Sequence, residues 1–411
     1  MKPSVLITTT SRWFPTARLA AALVRAGCHV DAACPLGHPL VKLKNFGKTY
    51  PYRGLTPLHA FSVAIRSSRP DLIVPGDDLA TSHLHRLYEI ESRRGESGRQ
   101  ICRLIERSLG SSESFPVAYA RAGFIQVAKQ AGVRAPKTAA IANLDQLRKW
   151  VASAGLPTVL KADGTSGGEG VRVVHTLAEA EQAFRTLQAP PLVLRALKRA
   201  VVNRDKTLLS PAMLRRRSVV NAQEFVPGRE ATSAVACWQG KVLASLHFEV
   251  IHKRDAAGPS SVLRLIEHGE IAATAETMVS ELKLSGLVGF DFMLEASTGD
   301  AHLIEINPRA TQVGHLTLGP GRDLPAALYA VLSGEEIKLA PKLTESDTIA
   351  LFPQEWMRDP GSPFLQSAYH DVPWGDPELL AHFAGIRPQK NSLDTAQTAI
   401  PNFSPARLPR L

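Results

Sequence analysis

The first part of the chain alternates short apolar runs with amphipathic stretches. Residues 4–9 form an apolar, β-rich run, and residues 16–26 then repeat apolar side chains at helical spacing until Gly27 ends the pattern. A second helical stretch leads into the strand-like run DLIVPGDD at 71–78. Alternating strands and helices are typical of a small open parallel sheet, so residues 1–115 are predicted to form an α/β domain.

The loops of this predicted domain give two indications about ligands. The loop after the first strand reads TTTSRWFPT and lacks G-x-G-x-x-G, which argues against a dinucleotide site there. Asp77 and Asp78 lie at the carboxyl end of a strand, where α/β sheets place ligands. The alternative, that they cap the next helix, is the preferred interpretation.

The middle of the chain changes character after a polar stretch that is rich in Ser and Gly at both ends, residues 91–115, so a domain boundary is predicted near 110–116. Helices and a strand hairpin are predicted next, with Asn143 as an N-cap and Thr176 with Glu179 as a capping box. These elements are predicted at 119–130, 143–155, 158–174 and 176–187.

The second half of the chain is predicted to be α+β with antiparallel strands. Strand patterns separated by turn signals lead to one helix and a final hairpin, at 218–228, 230–238, 241–251, 270–284, 287–295 and 301–308. From about Pro341 the pattern weakens, so 336–411 is predicted to be an irregular C-terminal extension. Its last 25 or so residues, rich in Pro and Ser, are expected to be loosely held.

Composition narrows the class of protein. The chain has 411 residues, enough for two or three domains, and 44% of them are apolar. Its beginning has no uninterrupted apolar stretch typical of a signal peptide, and no run approaches the length of a membrane span. The four cysteines are scattered without metal-binding spacing. We therefore expect a reduced, cytoplasmic protein without membrane association.

The net charge of +10 is unevenly distributed. Residues 185–218 contain nine basic side chains and one acid, a net charge of +8. This stretch is either a solvated surface or a patch that attracts an anionic substrate or partner. Nucleic acid is an unlikely partner, because no aromatic residues interleave with these charges to stack on bases.

The hairpin GFDFMLEASTGDAHLIEIN predicts a metal site. Its turn is centred near Thr298, so Asp291 and Glu305 should face each other at roughly 5 Å. Asn307 should share the face of Glu305, because strand side chains alternate with period two. Two carboxylates so close repel unless a proton or a cation lies between them, and three oxygen ligands suit Mg²⁺. The alternative is a pair of solvent-facing acids, and a slip of one residue in the turn would break the pairing.

A glycine-rich loop joins the strands of the earlier hairpin. Backbone N–H groups in such a loop can close over phosphate oxygens, and Lys161 at the end of the incoming strand can add a charge. No G-K-[ST] follows, so this is not a Walker loop. A mobile hairpin tip is the alternative. The candidate phosphate-binding residues are Gly164, Thr165, Ser166, Gly167, Gly168 and Gly170.

The segment NAQEFVPGRE is the third candidate element. Backbone groups around Phe225 and Val226 could pair with the edge of an adenine, and the carboxylates of Glu224 and Glu230 suit an exocyclic amine or ribose hydroxyls. On its own, this segment is an ordinary strand.

Together and in this order, the three elements resemble the ATP-grasp superfamily. A lysine strand with a glycine-rich loop is followed by QE-x-V-x-G-x-E, then G-x-D and E-x-NPR. The resemblance covers roughly 116–335, and the region before it looks like the pre-ATP-grasp domain of that superfamily. It implies an α/β domain over 1–115, then two α+β lobes over 116–335 with ATP between them, then the extension 336–411.

The resemblance also implies the roles of individual residues. Lys161 and Arg121 would contact phosphates, the loop at 163–170 would cover the β- and γ-phosphates, and Lys253 would be a further phosphate-contacting base. Glu224, Phe225 and Val226 would hold adenine, and Glu230 would hold the ribose. Arg309 would stabilise the reacting acyl phosphate. One or two Mg²⁺ ions, or Mn²⁺, would be bound by Asp291, Glu305 and Asn307.

The implied reaction joins a small-molecule carboxylate to an amine through an acyl phosphate, and a homodimer is compatible with the resemblance. The form E-x-NPR is similar to biotin carboxylase, carbamoyl phosphate synthetase and the L-amino-acid ligases. Gly289 replaces the arginine of D-alanine–D-alanine ligases, and Gly314 replaces a catalytic glutamate of biotin carboxylases. We therefore expect a carboxylate–amine ligase for an amino acid or small peptide.

Two other functions stay open at the level of sequence: an ATP-binding protein without ligase turnover, and a phosphotransferase. The acceptor substrate is the least defined part of the site. Candidate acceptor-site residues in loops near the cleft are Ser260, Ser261, Arg264, His315 and Arg322.

Overall fold

The fold is taken from a computed structural model, which describes residues 2–164, 170–189, 218–255, 258–337 and 340–383. Several predictions concern positions outside these ranges. They are the phosphate-loop residues Thr165, Ser166, Gly167 and Gly168, the basic residues between 190 and 217, and the tail from 384 onward.

A four-stranded parallel sheet forms the first part of the chain, as the alternating pattern predicted. Its strand order is β3-β2-β1-β4. The strands are β1 (Ser4–Thr8), β2 (His29–Cys34), β3 (Thr49–Pro51) and β4 (Leu72–Pro75). The helices are α1 (Phe14–Arg25), α2 (Pro57–Ser68), α3 (Asp78–Ser92) and α4 (Glu96–Leu109), with a 3₁₀ turn at Pro39–Lys42.

A small antiparallel sheet follows, with strand order β5-β8-β6-β7. Both predicted helix caps are present: Asn143 accepts a hydrogen bond from the backbone N–H of Gln146, and Thr176 accepts one from Glu179. The strands are β5 (Thr138–Ile141), β6 (Thr158–Ala162), β7 (Val171–Val174) and β8 (Val220–Glu224). A 3₁₀ turn at Ser112–Ser114 precedes the helices α5 (Arg121–Gln130), α6 (Leu144–Ala154) and α7 (Leu177–Gln188).

The largest sheet has seven strands in the order β13-β12-β9-β10-β11-β14-β15, antiparallel except for the last pair. The first five strands are β9 (Gly228–Trp238), β10 (Lys241–Lys253), β11 (Ser260–Leu265), β12 (Gly286–Glu295) and β13 (Ala301–Asn307). The helices beside them are α8 (Gly269–Glu281) and α9 (Leu324–Ser333).

The C-terminal segment is a series of short elements that extend this sheet. Residues beyond 340 supply its last two strands, and the short helices lie between and after them. The elements are β14 (Thr348–Leu351), α10 (Gln354–Arg358), α11 (Phe364–Ser367), β15 (Tyr369–Asp371) and α12 (Pro377–Phe383). Short strands of this kind have too few alternating positions for the sequence to predict them.

One hydrophobic core connects all three parts of the chain. Leu19 and Leu23 of α1 belong to the same buried cluster as Phe248 of β10, Leu316 and Ile349 of β14. The cluster therefore crosses both predicted domain boundaries, near 115 and near 335. The small antiparallel sheet and its helices have a separate core.

Two further predictions concern chemistry and location. The four cysteines are free and buried, which fits the expectation of inert thiols. In the described ranges, no helix has both the length and the apolar character that crossing a bilayer requires. The cytoplasmic location and the homodimer stay predictions.

Candidate functional site

The hairpin of β12 and β13 places the predicted acid pair together. Asp291 faces Glu305 across the two strands, as predicted from the turn. Nearer the turn, however, Phe292 pairs with Leu303, so the register changes by one and Ile304 is an extra residue. This bulge leaves Ile304 and Glu305 both half-buried, whereas regular alternation would place them on opposite faces.

Asp291 is held by hydrogen bonds on both sides. The hydroxyl of Thr232 on β9 donates to Oδ1 at 2.9 Å, and the amide of Asn307 donates to Oδ2 at 2.9 Å. Burial, followed by the charge of Glu305, nevertheless raises the pKa of Asp291. A carboxylate in this environment is stabilised by a nearby cation.

Two basic side chains reach the acid pair. Arg121, the first residue of α5, places Nη1 2.7 Å from Oε2 of Glu305 and Nε 3.6 Å from Oδ1 of Asp163. Lys161 on β6 is only 6% exposed. Burial lowers the pKa of Lys161 to about 8, against the opposing effect of the Glu305 charge. Cations carried by α5 and the small sheet therefore converge on acids of the large sheet.

The acid pair and Asn307 have the chemistry of a magnesium site. They offer two carboxylates and an amide oxygen, which are hard donors of the kind Mg²⁺ prefers. The described ranges contain no group of three or more His, Cys, Asp or Glu side chains able to hold a metal, so the third protein donor of a metal here would be the amide. Burial first, and then the charge of Glu305, raise the pKa of Asp291, and a bound dication would offset both effects.

The predicted adenine and ribose residues lie where β8 leads into β9. The backbone N–H of Glu224 donates to the carbonyl of Lys137 at 2.9 Å, and its carboxylate accepts from the N–H of Lys137 at 3.2 Å. Val226 is buried and Phe225 is half-buried. Glu230, near the start of β9, is bound by Lys253 at 2.7 Å. The carboxylates of Glu224 and Glu230 therefore already have protein partners that a nucleotide would have to replace or share.

The structure describes the two ends of the glycine loop, Gly164 and Gly170. Gly164 has a φ of 73°, a conformation that favours glycine, and no atom lies within 4 Å of the position a Cβ would take. The carbonyl of Gly170 accepts a hydrogen bond from the N–H of Ala162 and closes the hairpin. Lys161 precedes this turn on β6.

Arg309 binds the N-terminal sheet domain. Its Nε donates to Oδ1 of Asp78 at 2.9 Å, and its guanidinium carbon lies 5.9 Å from the centroid of the Trp13 ring. Burial opposes the charge of Arg309, but the charge and hydrogen bond of Asp78 outweigh it and raise the pKa. The preceding Asp77 is the predicted N-cap of α3, because its Oδ1 accepts from the N–H of Ala80. Asp78 is instead the first helical residue.

Sequence reasoning missed several partners in this site. Asp78 was considered as a residue at a ligand-binding strand end or, preferably, as a helix cap, and Asp163 was considered only as the first residue of the phosphate loop. Trp13 and Thr232 were not singled out. The signal of the two acids was positional, since Asp78 lies at a strand end and Asp163 follows the lysine strand. Asp163 is held by the amide of Asn221, which donates to it at 2.8 Å.

The predicted acceptor-site residues do not form one group. Ser261 and His315 are 0% and 3% exposed, and His315 is bound to Asp371, so both are poorly placed to contact a substrate. Arg264 is exposed on β11, and Arg322 pairs with Glu267. Ser260 contacts the loop after β13, because its carbonyl accepts a hydrogen bond from the amide of Gln312 at 3.2 Å.

Gly289 on β12 allows the loop after β13 to approach the large sheet closely. A Cβ at this position would overlap the Cγ2 atom of Thr311 and lie 3.4 Å from the Cβ of Asn307. The space beside Gly289 is therefore filled by Thr311. At Gly314, by contrast, an added Cβ would make ordinary contacts, the shortest being 3.5 Å.

Comparison with known proteins identifies this central region. Residues 123–313 match the family model described as ATP-grasp domain. The large chain of carbamoyl phosphate synthase from Kineococcus radiotolerans is 23% identical over 231 residues, and that from Bifidobacterium adolescentis is 24% identical over 233 residues. These alignments cover 56% and 55% of this chain but only 19% of each relative, so the chain spans about a fifth of the length of these curated relatives.

Solved structures show the same fold over most of the chain. The ADP complex of PurK, an N5-carboxyaminoimidazole ribonucleotide synthetase, has a TM-score of 0.59 at 16% identity and covers 84% of this chain and 80% of its own. A biotin carboxylase from Campylobacter jejuni has a TM-score of 0.57 at 16% identity and covers 82% and 72%. The chain therefore has an N-terminal parallel-sheet domain followed by an ATP-grasp domain. The recognition of the ATP-grasp superfamily from motif order is confirmed.

Proposed function

We propose that this chain is an ATP- and magnesium-dependent ligase that joins the carboxylate of an amino acid or small peptide to an amine. The observation that carries the proposal is the pairing of Asp291 and Glu305 across one hairpin, with Arg121 bound to Glu305 and the buried Lys161 close enough to feel the charge of both acids. Apart from Arg121, these residues lie inside the region that matches the ATP-grasp family model.

The proposed reaction has two steps. A substrate carboxylate oxygen attacks the γ-phosphorus of ATP, the bond from that phosphorus to the β–γ bridging oxygen breaks, and ADP leaves. The amine nitrogen then attacks the carbonyl carbon, the bond from that carbon to the phosphate oxygen breaks, and phosphate leaves. The amine proton passes to solvent. Both steps bring anions together, so positive side chains must offset the charge.

The residues take their roles from their charges and positions. Lys161 and Arg121 would offset phosphate charge, with Lys253 as a further base. Asp291, Glu305 and Asn307 would hold magnesium, which when bound supplies charge neutralisation at phosphate oxygens. The backbone from Gly164 to Gly170 would cover the phosphates, and the β8–β9 segment with Glu224, Phe225, Val226 and Glu230 would hold the nucleoside.

Arg309 would stabilise the acyl phosphate and the tetrahedral intermediate. It lies two residues after Asn307, and Nη2 donates to the Asn307 amide oxygen at 3.2 Å, so it adjoins the proposed metal site. A guanidinium suits this role because it binds two oxygens at once. We favour an amino acid or peptide over bicarbonate, because Gly314 provides no carboxylate where biotin carboxylases have a catalytic glutamate.

The proposal is tested by turnover. The protein is incubated with ATP, Mg²⁺ and pooled L-amino acids, and ADP and phosphate release are measured with and without hydroxylamine, which traps acyl phosphates as hydroxamates. Release that depends on both a carboxylate and an amine is expected. Release without a hydroxamate would favour a phosphotransferase, and no stimulated release would favour an ATP-binding protein.

A pair of variants separates catalysis from folding. Glu305→Gln should abolish stimulated release, because it removes one charge of the acid pair. Glu295→Gln lies on the same hairpin near the turn, where the carboxylate contacts Thr298 and His302, and should retain release. Equal activity of both variants would contradict the assignment of Glu305.

A further inference from the structure

The loop after β13 is fixed to the carboxyl edge of the N-terminal sheet. The backbone N–H of Ala310 donates to the carbonyl of Pro75 at 3.0 Å. The hydroxyl of Thr81 on α3 donates to the carbonyl of Pro308 at 2.9 Å. These two bonds hold the backbone on either side of Arg309 against a different domain.

The guanidinium of Arg309 is held by acceptors from separate segments. Nε donates to Oδ1 of Asp78 at 2.9 Å, Nη1 to the carbonyl of Ala310 at 3.2 Å, and Nη2 to the amide oxygen of Asn307 at 3.2 Å. A guanidinium has five N–H groups, so these bonds use three and leave one on each terminal nitrogen. Two such groups form the fork that binds two oxygens of a phosphate or carboxylate.

Asp78 is the charged acceptor among these three. It comes from a position 231 residues earlier in the chain, at the first turn of α3. Without it, a largely buried guanidinium would retain two neutral acceptors, and its position would no longer be set by a charge-assisted hydrogen bond.

We infer that Asp78 is a positioning residue for Arg309, through which the N-terminal domain fixes the two remaining guanidinium N–H groups for a reacting phosphate or carboxylate. The identity of that anion rests on the proposed function. The hydrogen-bond geometry does not.

Turnover measures the consequence. With the ATP, Mg²⁺ and amino-acid mixture, Asp78→Ala should lower kcat by about 10- to 100-fold, because small misplacement of a reacting group is costly. KM for ATP should change less than about 3-fold, because the proposed phosphate and adenine contacts are elsewhere. Asp78→Glu retains the carboxylate and should recover part of the loss. An unchanged kcat in Asp78→Ala would overturn the inference.

Two controls distinguish positioning from general damage. Glu96→Ala removes an exposed first-turn acid of α4 and its 2.7 Å ion pair with Arg99, in the same domain, and should leave kcat unchanged. In an Arg309→Ala background, Asp78→Ala should add little further loss, since it acts through the missing guanidinium. Fully multiplicative losses would mean that Asp78 acts independently of Arg309.

A measurement without turnover keeps the inference separate from the proposed reaction. In protein labelled with ¹⁵N-arginine, the Nε–H resonance of Arg309, assigned by its loss in Arg309→Lys, should exchange slowly with solvent. Asp78→Ala should accelerate this exchange at least about 10-fold, because the acceptor is removed, whereas Glu96→Ala should not. Unaltered exchange would overturn the inference. If the wild-type protein releases no ADP, the ligase proposal is refuted, but the exchange measurement still tests whether Asp78 holds Arg309.

Discussion

The Nη1 atom of Arg121 lies 2.7 Å from Oε2 of Glu305, and this contact joins α5 to the acid pair of the large sheet. Glu305 therefore has a cation on one side and Asp291 on the other. A metal ion bound between the two acids would share Glu305 with the arginine, so the charge of Arg121 would affect metal binding at the proposed site.

Arg121→Ala tests whether Arg121 offsets the charge of the acid pair. Removing the arginine leaves two acids without their nearest counter-charge and should lower the free energy of unfolding by about 1–3 kcal/mol. Millimolar Mg²⁺ should restore part of the loss in Arg121→Ala but not in Arg121→Ala/Glu305→Gln. Thermal unfolding with EDTA or Mg²⁺ measures both effects. Equal responses of the two variants to Mg²⁺ would contradict a metal site at this pair.

Lys161→Met should stabilise the protein while weakening ATP binding. Burial lowers the pKa of Lys161 to about 8, so keeping its charge at pH 7 costs the folded state about 3 kcal/mol. Because the pKa is lowered in the folded state, this cost is fully present at neutral pH and disappears as pH rises from 8 towards the unfolded pKa of Lys161. The advantage of Lys161→Met in chemical denaturation should therefore shrink between pH 7 and pH 10. A constant or growing advantage would contradict the lowered pKa.

Gly289→Ala should destabilise the protein by about 1–3 kcal/mol, because the added methyl overlaps Cγ2 of Thr311. Thr311→Ser removes that methyl and should rescue much of the loss in the double variant. Urea unfolding of the two single variants and the double variant gives the coupling energy. Additive losses would show that Thr311 does not occupy the space beside Gly289.

Asp371→Asn tests how the C-terminal segment is held. The buried carboxylate of Asp371 lies 2.6 Å from Nη2 of Arg18 and 2.7 Å from Nε2 of His315. Removing its charge should cost about 3–5 kcal/mol, since Arg18 becomes a buried charge without its partner. The matched variant Asp376→Asn loses a longer pair, 3.7 Å from the exposed Arg25, and should cost less than about 1 kcal/mol. Similar losses in the two variants would contradict a stabilising role of the buried contacts between Asp371, Arg18 and His315.

His85 should make stability depend on pH. Burial lowers its pKa to about 3, and its ring stacks on Phe115 with centroids 3.7 Å apart. As pH falls, His85 of the unfolded chain binds a proton before His85 of the folded protein does. The free energy of unfolding is therefore highest above pH 6.5 and decreases as pH falls below it. Between pH 7 and pH 5 the loss should be about 2 kcal/mol. His85→Phe should reduce the loss of stability between pH 7 and pH 5 by about 2 kcal/mol, whereas substitution of the exposed His59 by Gln should leave it unchanged. A pH dependence that is the same in His85→Phe and the wild type would contradict the lowered pKa.

The sequence predicted those features that depend on neighbouring residues. The pairing of Asp291 with Glu305 follows from the hairpin, and the caps at Asn143, Thr176 and Asp77 follow from residues three positions away. The bulge at Ile304 had no local signal. The pairs next to the turn are centred half a residue before Thr298, and the bulge compensates for this shift. The predicted pair of Asp291 and Glu305 was therefore right, although the predicted uniform register was not.

Contacts between distant parts of the chain could not be predicted. Asp78 and Arg309 meet only because α3 and the loop after β13 dock at one edge of the N-terminal sheet. His315 was expected near the substrate, but it is buried against Asp371, which comes from the last strand of the sheet. Such relationships are set by packing of whole elements, which a single sequence does not reveal.

The anchoring of the loop after β13 also limits how this catalytic module could be transplanted. The matched region, 123–313, begins after Arg121 and omits Asp78, both of which contact the candidate site. It also ends before the strands that complete the large sheet. A fragment cut to those limits, or a chimaera that exchanges the first domain alone, would retain the hairpin of Asp291 and Glu305 without the contacts that hold Arg309. The region that matches the family model is therefore smaller than the structural unit that positions this arginine.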